Sequence, residues 1–241
     1  MMAADVAPAL QEEIMTRLKG DLAEDRRLTR LFNQLASGEA NYYDAHVVSQ
    51  IVGEHTSDVL MQVLTPDVLP DHRLYYNIAE RTIKPAMQLG DSVVTNYTEA
   101  MQTQMNRRAG MNIKAIKPRD NTTNINNICG LASDYEDFAD GVWVLDKPVQ
   151  THAESVVDKF VRANAKFAEA AGLDPVIVRT AEADCCPWCA DLEGTYSYSE
   201  VRAAGSDVYR RHNNCRCITE YFPGGGNRAQ NVWDHSSWRE F

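Results

Sequence analysis

Five of the six cysteines of this chain, Cys185, Cys186, Cys189, Cys215 and Cys217, crowd between positions 185 and 217, while Cys129 stands alone. Cys186-Pro187-Trp188-Cys189 offers two thiolates from one tight turn. Positions 190–211 follow, and His212-Asn213-Asn214-Cys215-Arg216-Cys217 then offers a second set of soft donors. Two such pairs brought together from separate loops surround one ion tetrahedrally with sulfur and nitrogen, the arrangement that structural zinc prefers. The spacing predicts Cys186, Cys189, His212 and Cys215 as ligands. Cys217 can replace either member of the second pair, and Cys185 is a bystander. Arg210, Arg211 and Arg216 are expected to offset the charge of the clustered thiolates.

Two other chemistries compete for the same residues. Cys-Pro-Trp-Cys has the form of a dithiol exchange motif, which sits where a strand meets a helix N-terminus that lowers the first thiol's pKa. That reading leaves the second cluster without a role. His152-Ala153-Glu154, upstream of Cys186 and Cys189, has the H-x-E then C-x-x-C order of the zinc deaminases, where the Glu shuttles protons and the ion activates water. Here the residue before Cys186 is Cys185 rather than Pro, and His212, Cys215 and Cys217 would be idle. No H-E-x-x-H, G-x-S-x-G or phosphate-cradling glycine loop occurs, so the sequence reads as a structural protein rather than an enzyme.

Composition narrows the class. With 44% hydrophobic residues the chain can bury a substantial core. Its 34 acidic against 24 basic residues, a net charge of −10, argue against a non-specific coat on DNA, which needs a basic surface to displace counterions. No apolar run is long enough to span a bilayer. The start, Met1-Met2-Ala3-Ala4-Asp5, lacks the form of a secretory signal, so a soluble chain made in a reducing compartment is expected, where clustered cysteines favour metal over disulfides.

Along the chain, apolar spacing predicts a helix over Glu12–Leu35 with Gly20 a mild interruption and Gly38 its end. A second helix is capped by Asp44 and stops near Thr65-Pro66. A third runs over Leu74–Gln104 and is kinked or divided at Pro85, with Tyr75, Tyr76 and Tyr97 packing on its face. Residues 106–128, basic and then Asn-rich, read as an exposed loop, with Arg107, Arg108, Lys114 and Lys117 a candidate contact for nucleic acid. A further helix capped near Thr151 reaches about Ala171 and stops at Gly172. Strands follow over Val176–Thr180, Gly194–Tyr196 and Cys217–Tyr221. His46, His55 and His72 read as surface or packing histidines. Gly224-Gly225-Gly226 opens a tail with Trp233, Trp238 and Phe241, a docking peptide or a segment folded back on its own domain.

The segment from about 150 to 223 resembles the head morphogenesis, or minor head, proteins of tailed bacteriophages of the Mu F-like kind. The resemblance is carried by Val178-Arg179-Thr180, Cys185-Cys186-Pro187-Trp188-Cys189, Leu192-Glu193-Gly194-Thr195-Tyr196 and Arg210-Arg211-His212-Asn213-Asn214-Cys215-Arg216-Cys217. Many members of that family have His-Pro where this chain has His212-Asn213. The resemblance implies a virion or prohead component present in few copies, associated with the portal and the capsid interior, and acting in head assembly, DNA packaging or ejection. The implied partners are portal and major capsid subunits, with packaged DNA a further contact.

The expected architecture is therefore α+β. An α-helical region covers residues 1–145, a small zinc-stapled α+β domain covers 146–223, and an extended tail covers 224–241.

Overall fold

The computed structural model describes residues 5–119, 122–182, 185–203, 207–212 and 215–224. It is α+β: a mostly helical body with one small antiparallel sheet near the C-terminal end. The first helix, α1 (Ala7–Glu24), buries Ala7, Leu10, Ile14 and Leu18, one stripe at helical spacing. Gly20 lies inside it without ending it. The break comes at Asp25, whose extended backbone and side chain cap the next helix by accepting from Arg27 N and Leu28 N. That helix, α2 (Arg26–Ser37), closes on Gly38 at φ +79°, a left-handed position that glycine adopts without strain.

Helix α3 (Tyr42–Val63) starts one turn earlier than its sequence suggests. Asn41 is the cap, and Asp44 is the third helical residue, reaching back to the Asn41 amide to complete a capping box. After two short 3-10 turns, α4 (Tyr76–Arg108) runs through Pro85 as one helix. Pro85 removes one backbone bond, and the apolar residues around it, Ile78, Ala79, Ile83, Ala86 and Met87, are all buried, so packing holds the helix across the gap. Tyr97 is buried as expected, but Tyr75 and Tyr76 are exposed.

The Asn-rich stretch is no loop: α5 (Thr122–Ser133) begins within it and buries Ile125, Ile128, Cys129 and Ala132. Its apolar residues recur at helical spacing, and that outweighs the loop preference of the intervening asparagines. A short turn of helix, α6 (Phe138–Gly141), leads to α7 (Lys147–Ala170), which starts a turn before Thr151, with Pro148 in its first turn. Strand β1 (Val176–Thr180) is followed by a short helix, α8 (Pro187–Asp191), then β2 (Gly194–Ser197), another short helix, α9 (Tyr198–Ala203), and β3 (Ile218–Phe222). The sheet order is β2-β1-β3, antiparallel throughout, with Ile177 opposite both Tyr196 and Tyr221.

The apolar core is shared between residues before and after 145. One apolar cluster joins α1, the ends of α3 and α4 that meet it, α5 and residues 138–149. The other runs without a break from Leu28, Val48 and Tyr97 to Val157, Phe160, Ile177 and Tyr221. Helix α7 therefore belongs to the helical body and is also the platform for the sheet. A Cβ on Gly53 of α3 would lie 3.0 Å from Gln150 Cα, so glycine is what lets α3 and α7 approach so closely. No described helix is long and apolar enough to cross a membrane. The tail residues Trp233, Trp238 and Phe241 lie outside the described residues.

Candidate metal centre

The two cysteine-bearing segments are each closed by a backbone hydrogen bond. Cys186 caps α8 and its carbonyl accepts from Cys189 N at 3.0 Å; the His212 carbonyl accepts from Cys215 N at 3.1 Å. Cys186 and Cys189 come together with His212, whereas Cys215 lies with Cys189 and Cys217, so the four predicted ligands are split between two groups. Cys186 Sγ and Cys189 Sγ lie 3.2 and 3.1 Å from His212 Nε2, and Cys189 Sγ lies 3.7 Å from Cys215 Sγ. Two groups able to hold a metal ion result, Cys186 with Cys189 and His212, and Cys189 with Cys215 and Cys217; Cys189 belongs to both. Cys189, Cys215 and Cys217 are buried, and Cys185 packs at their edge. Cys186 and His212 line an open depression of about 400 Å³ with Trp188, Arg210 and Arg211, a path by which an ion can enter.

A hydrogen bond with Cys217, together with burial, pushes the Cys215 thiol up to about 12, and the same contact holds Cys217 below the ordinary thiol range.

The charge that faces these sulfurs is not one the sequence singles out. Strand alternation buries Arg179 on the same side of β1 as Ile177, and only 1% of its surface is exposed. Its Nη2 points to Cys189 Sγ at 3.7 Å and Cys215 Sγ at 3.6 Å. Its Nη1 donates to the Val208 and Arg210 carbonyls at 2.5 and 3.0 Å. The guanidinium also stacks over Trp188, 5.6 Å from the ring centroid, and Trp188 meets His212 edge-on at 5.7 Å. The available signal was an arginine at an inward position of a strand, where an apolar residue is the default.

Two of the arginines expected to flank the thiolates, Arg211 and Arg216, pair with carboxylates. Arg216 reaches Glu54 of α3 at 3.3 Å. Arg211, buried, binds Asp158 through Nε and Nη2, Glu154 Oε2 through Nη1 at 2.5 Å, and the Cys215 carbonyl at 3.2 Å. Thr219 Oγ1 adds a bond to Asp158 at 2.5 Å. Burial pushes Glu154 up to about 8 against the pull of Arg211. Burial also opposes the charge of Asp158, but Arg211 outweighs it and holds that carboxyl below its usual range. His46 sits in the same network with Nε2 3.0 Å from the Thr219 carbonyl, and burial beside Arg211 brings it down to about 4, so its ring is neutral.

His152 and Glu154 do not join the thiols. Asn124 Nδ2 donates to His152 Nδ1 at 2.9 Å, leaving Nε2 to donate to Asp91 at 3.0 Å. Among the described residues, no group able to hold an ion contains His152 or Glu154. In the basic run, Arg107, Arg108, Lys114 and Lys117 are all exposed, and Arg108 also donates to the Ala40 carbonyl at 3.0 Å.

Compared with protein-family models, with curated proteins and with solved structures, the chain matches none.

Proposed function

We propose that this chain is a structural minor head protein of a tailed bacteriophage, acting at the portal or capsid interior in head assembly, DNA packaging or ejection. In this reading a zinc ion held by Cys186, Cys189, His212 and Cys215 fastens the sheet loops to the helical body. The observation that carries it is that the two cysteine-bearing segments, on which the resemblance to minor head proteins also rests, meet at Cys189, which lies with Cys186 and His212 in one group and with Cys215 and Cys217 in another. Soft sulfur and nitrogen donors suit zinc. Tetrahedral Zn–S bonds of about 2.3 Å space two sulfurs about 3.8 Å apart, close to the 3.7 Å between Cys189 and Cys215. When bound, zinc supplies four-point closure of two loops rather than an activated water, because the four donors fill a tetrahedron.

Elemental analysis of chain purified without added metal tests the site. About one zinc per chain is expected, lost in His212→Ala and retained in His152→Ala. Loss with His152→Ala instead would favour a deaminase-like pocket, and no metal in any of the three would overturn the zinc reading. The head role is tested separately by mass spectrometry of purified particles and proheads, where the chain should occur in far fewer copies than the major capsid subunit. Its absence from both would overturn that role.

A further inference from the structure

Helix α4 carries surfaces of unlike charge near its two ends. Cys129 Sγ of α5 donates to the Ala79 carbonyl at 3.7 Å near the first end, and Asn106 Nδ2 donates to the Ile113 carbonyl at 3.3 Å at the other. At 1.5 Å per residue, Ala79 and Asn106 lie about 40 Å apart along the helix. The first end presents apolar surface rimmed by acids. Trp143, in the 3-10 turn Val142–Leu145, is 46% exposed although Val144 and Leu145 beside it are buried. Its indole is held outward, with Nε1 donating to Tyr135 Oη at 3.2 Å. A Cβ on Gly141 would lie 2.5 Å from Tyr135 Cδ2, so glycine lets that ring close on the turn. Leu131, in the last turn of α5, which packs against the same 3-10 turn, is also exposed. Asp134 and Glu136 flank Tyr135, Asp140 lies one turn before Trp143, and all three are exposed. Among the described residues none of these three carboxylates has a salt-bridge partner. No lysine or arginine occurs between Arg119 and Lys147. Two bases close to this end are already paired, Lys147 with Asp146 at 3.4 Å and Lys84, near Cys129, with Glu80 at 3.2 Å.

The far end is the converse. Arg107, Arg108, Ile113 and Lys114 are exposed there. Among the described residues Arg107 and Lys114 have no salt-bridge partner. The bond from Arg108 to the Ala40 carbonyl brings Glu39 near, and the bases outnumber it.

We propose that a second copy of this chain docks its basic end on the acidic end of the first, so that copies join head to tail. The two ends are too far apart to meet within one chain, yet each complements the other. An indole face takes a guanidinium or ammonium group, carboxylates beside it bind the same cation, and Ile113 meets the apolar surface of Trp143 and Leu131. Facing itself across a two-fold axis, the acidic end would set like charges together, so the contact is heterologous and leaves one unlike end free at each tip. Nucleic acid is repelled from the acidic end for the same reason. The inference rests neither on the metal site nor on a role in a phage head.

Sedimentation equilibrium of the full chain tests it, from about 1 µM to 1 mM, the range in which small interfaces associate. The wild type should grow past dimers as concentration rises, and Trp143→Ala should weaken association at least about tenfold. Two further variants each remove one end: Asp134→Asn with Glu136→Gln, Asp140→Asn and Trp143→Ala, and Arg107→Gln with Ile113→Ser and Lys114→Gln. Each alone should stay monomeric, and an equimolar mixture should form one-to-one dimers and nothing larger, which also shows that both variants fold. A wild type that stays monomeric to about 1 mM, a variant that associates by itself as the wild type does, or a mixture that stays monomeric overturns the proposal. Saturable binding of oligolysine by a monomeric wild type, lost in Trp143→Ala, would assign the acidic end to a foreign basic partner instead.

Discussion

Arg211, next to the predicted ligand His212, clasps Asp158 of α7 through both Nε and Nη2, the latter at 3.0 Å from Oδ1. The loop carrying His212 is thereby fixed to the helical body by a buried ion pair as well as by apolar contact. With Thr219 and His46 in the same network, the polar groups buried under β3 satisfy one another, and removing one member strands the rest.

Replacing Arg211 by Met should therefore destabilise the chain by about 3–5 kcal/mol, because Asp158 is left as a buried uncompensated charge. Urea unfolding of Arg211→Met and of Arg211→Met with Asp158→Leu reads this out. The double variant should recover much of the loss. Equal instability of the two would mean that the ion pair is not what the single variant disrupts.

On the proposed zinc reading, loss of the ion should loosen the chain from the sheet outward. In Cys189→Ser, hydrogen exchange is expected to speed up first over 176–180 and 218–222, then in the part of α7 around Asp158, while α1 and α5 keep their protection. The order follows from the two apolar clusters: sheet and α7 share one, α1 and α5 the other. Simultaneous loss everywhere would show a single cooperative unit.

Arg179→Met should weaken zinc binding on the order of 10–100-fold, the usual effect of losing a partner that hydrogen-bonds the ligands. Arg179→Lys is not expected to rescue it, since one ammonium cannot span two sulfurs and two carbonyls. Competition with a chromophoric chelator measures both, and an unchanged affinity in Arg179→Met would show that the guanidinium serves packing alone.

Glu220 gives the chain a pH dependence. Burial pushes its carboxyl from 4.5 up to about 7, so folding favours the protonated form. The stability it contributes is fully present below pH 4.5 and is lost as the pH rises through 7. Glu220→Gln should match the wild type near pH 4.5 and exceed it by about 2–3 kcal/mol above pH 8. Thermal melts across that range check the sign, and a constant difference with pH would contradict it.

Much of the helical body is legible in the sequence because it depends on near neighbours. Leu10, Ile14 and Leu18 recur at helical spacing, Gly38 ends α2, and Val176–Thr180 reads as a strand and is one. Where the reading failed, two local signals competed and packing chose between them. Pro85 argues for a break that buried neighbours on both sides override, and the asparagines at 121–127 argue for a loop where Ile125 and Ile128 need a buried face. Helix α7 reads in the sequence as the start of something new, while its apolar stripe is completed by residues far earlier in the chain.

The sequence by itself determined that Cys186 and Cys189, and His212 and Cys215, stay near each other along the chain, since donors with two residues between them remain close in almost any fold. Only the tertiary structure decided which cation each acidic or sulfur group receives. Three arginines divide two carboxylates of α7, one of α3 and the thiols among them. Arg211 goes to Asp158 and Glu154, Arg216 to Glu54, and Arg179, far upstream, to the sulfurs. The physical reason is that buried charges must be matched at contact distance, and contact between residues distant in sequence is set by how α7 and the sheet pack, not by local spacing.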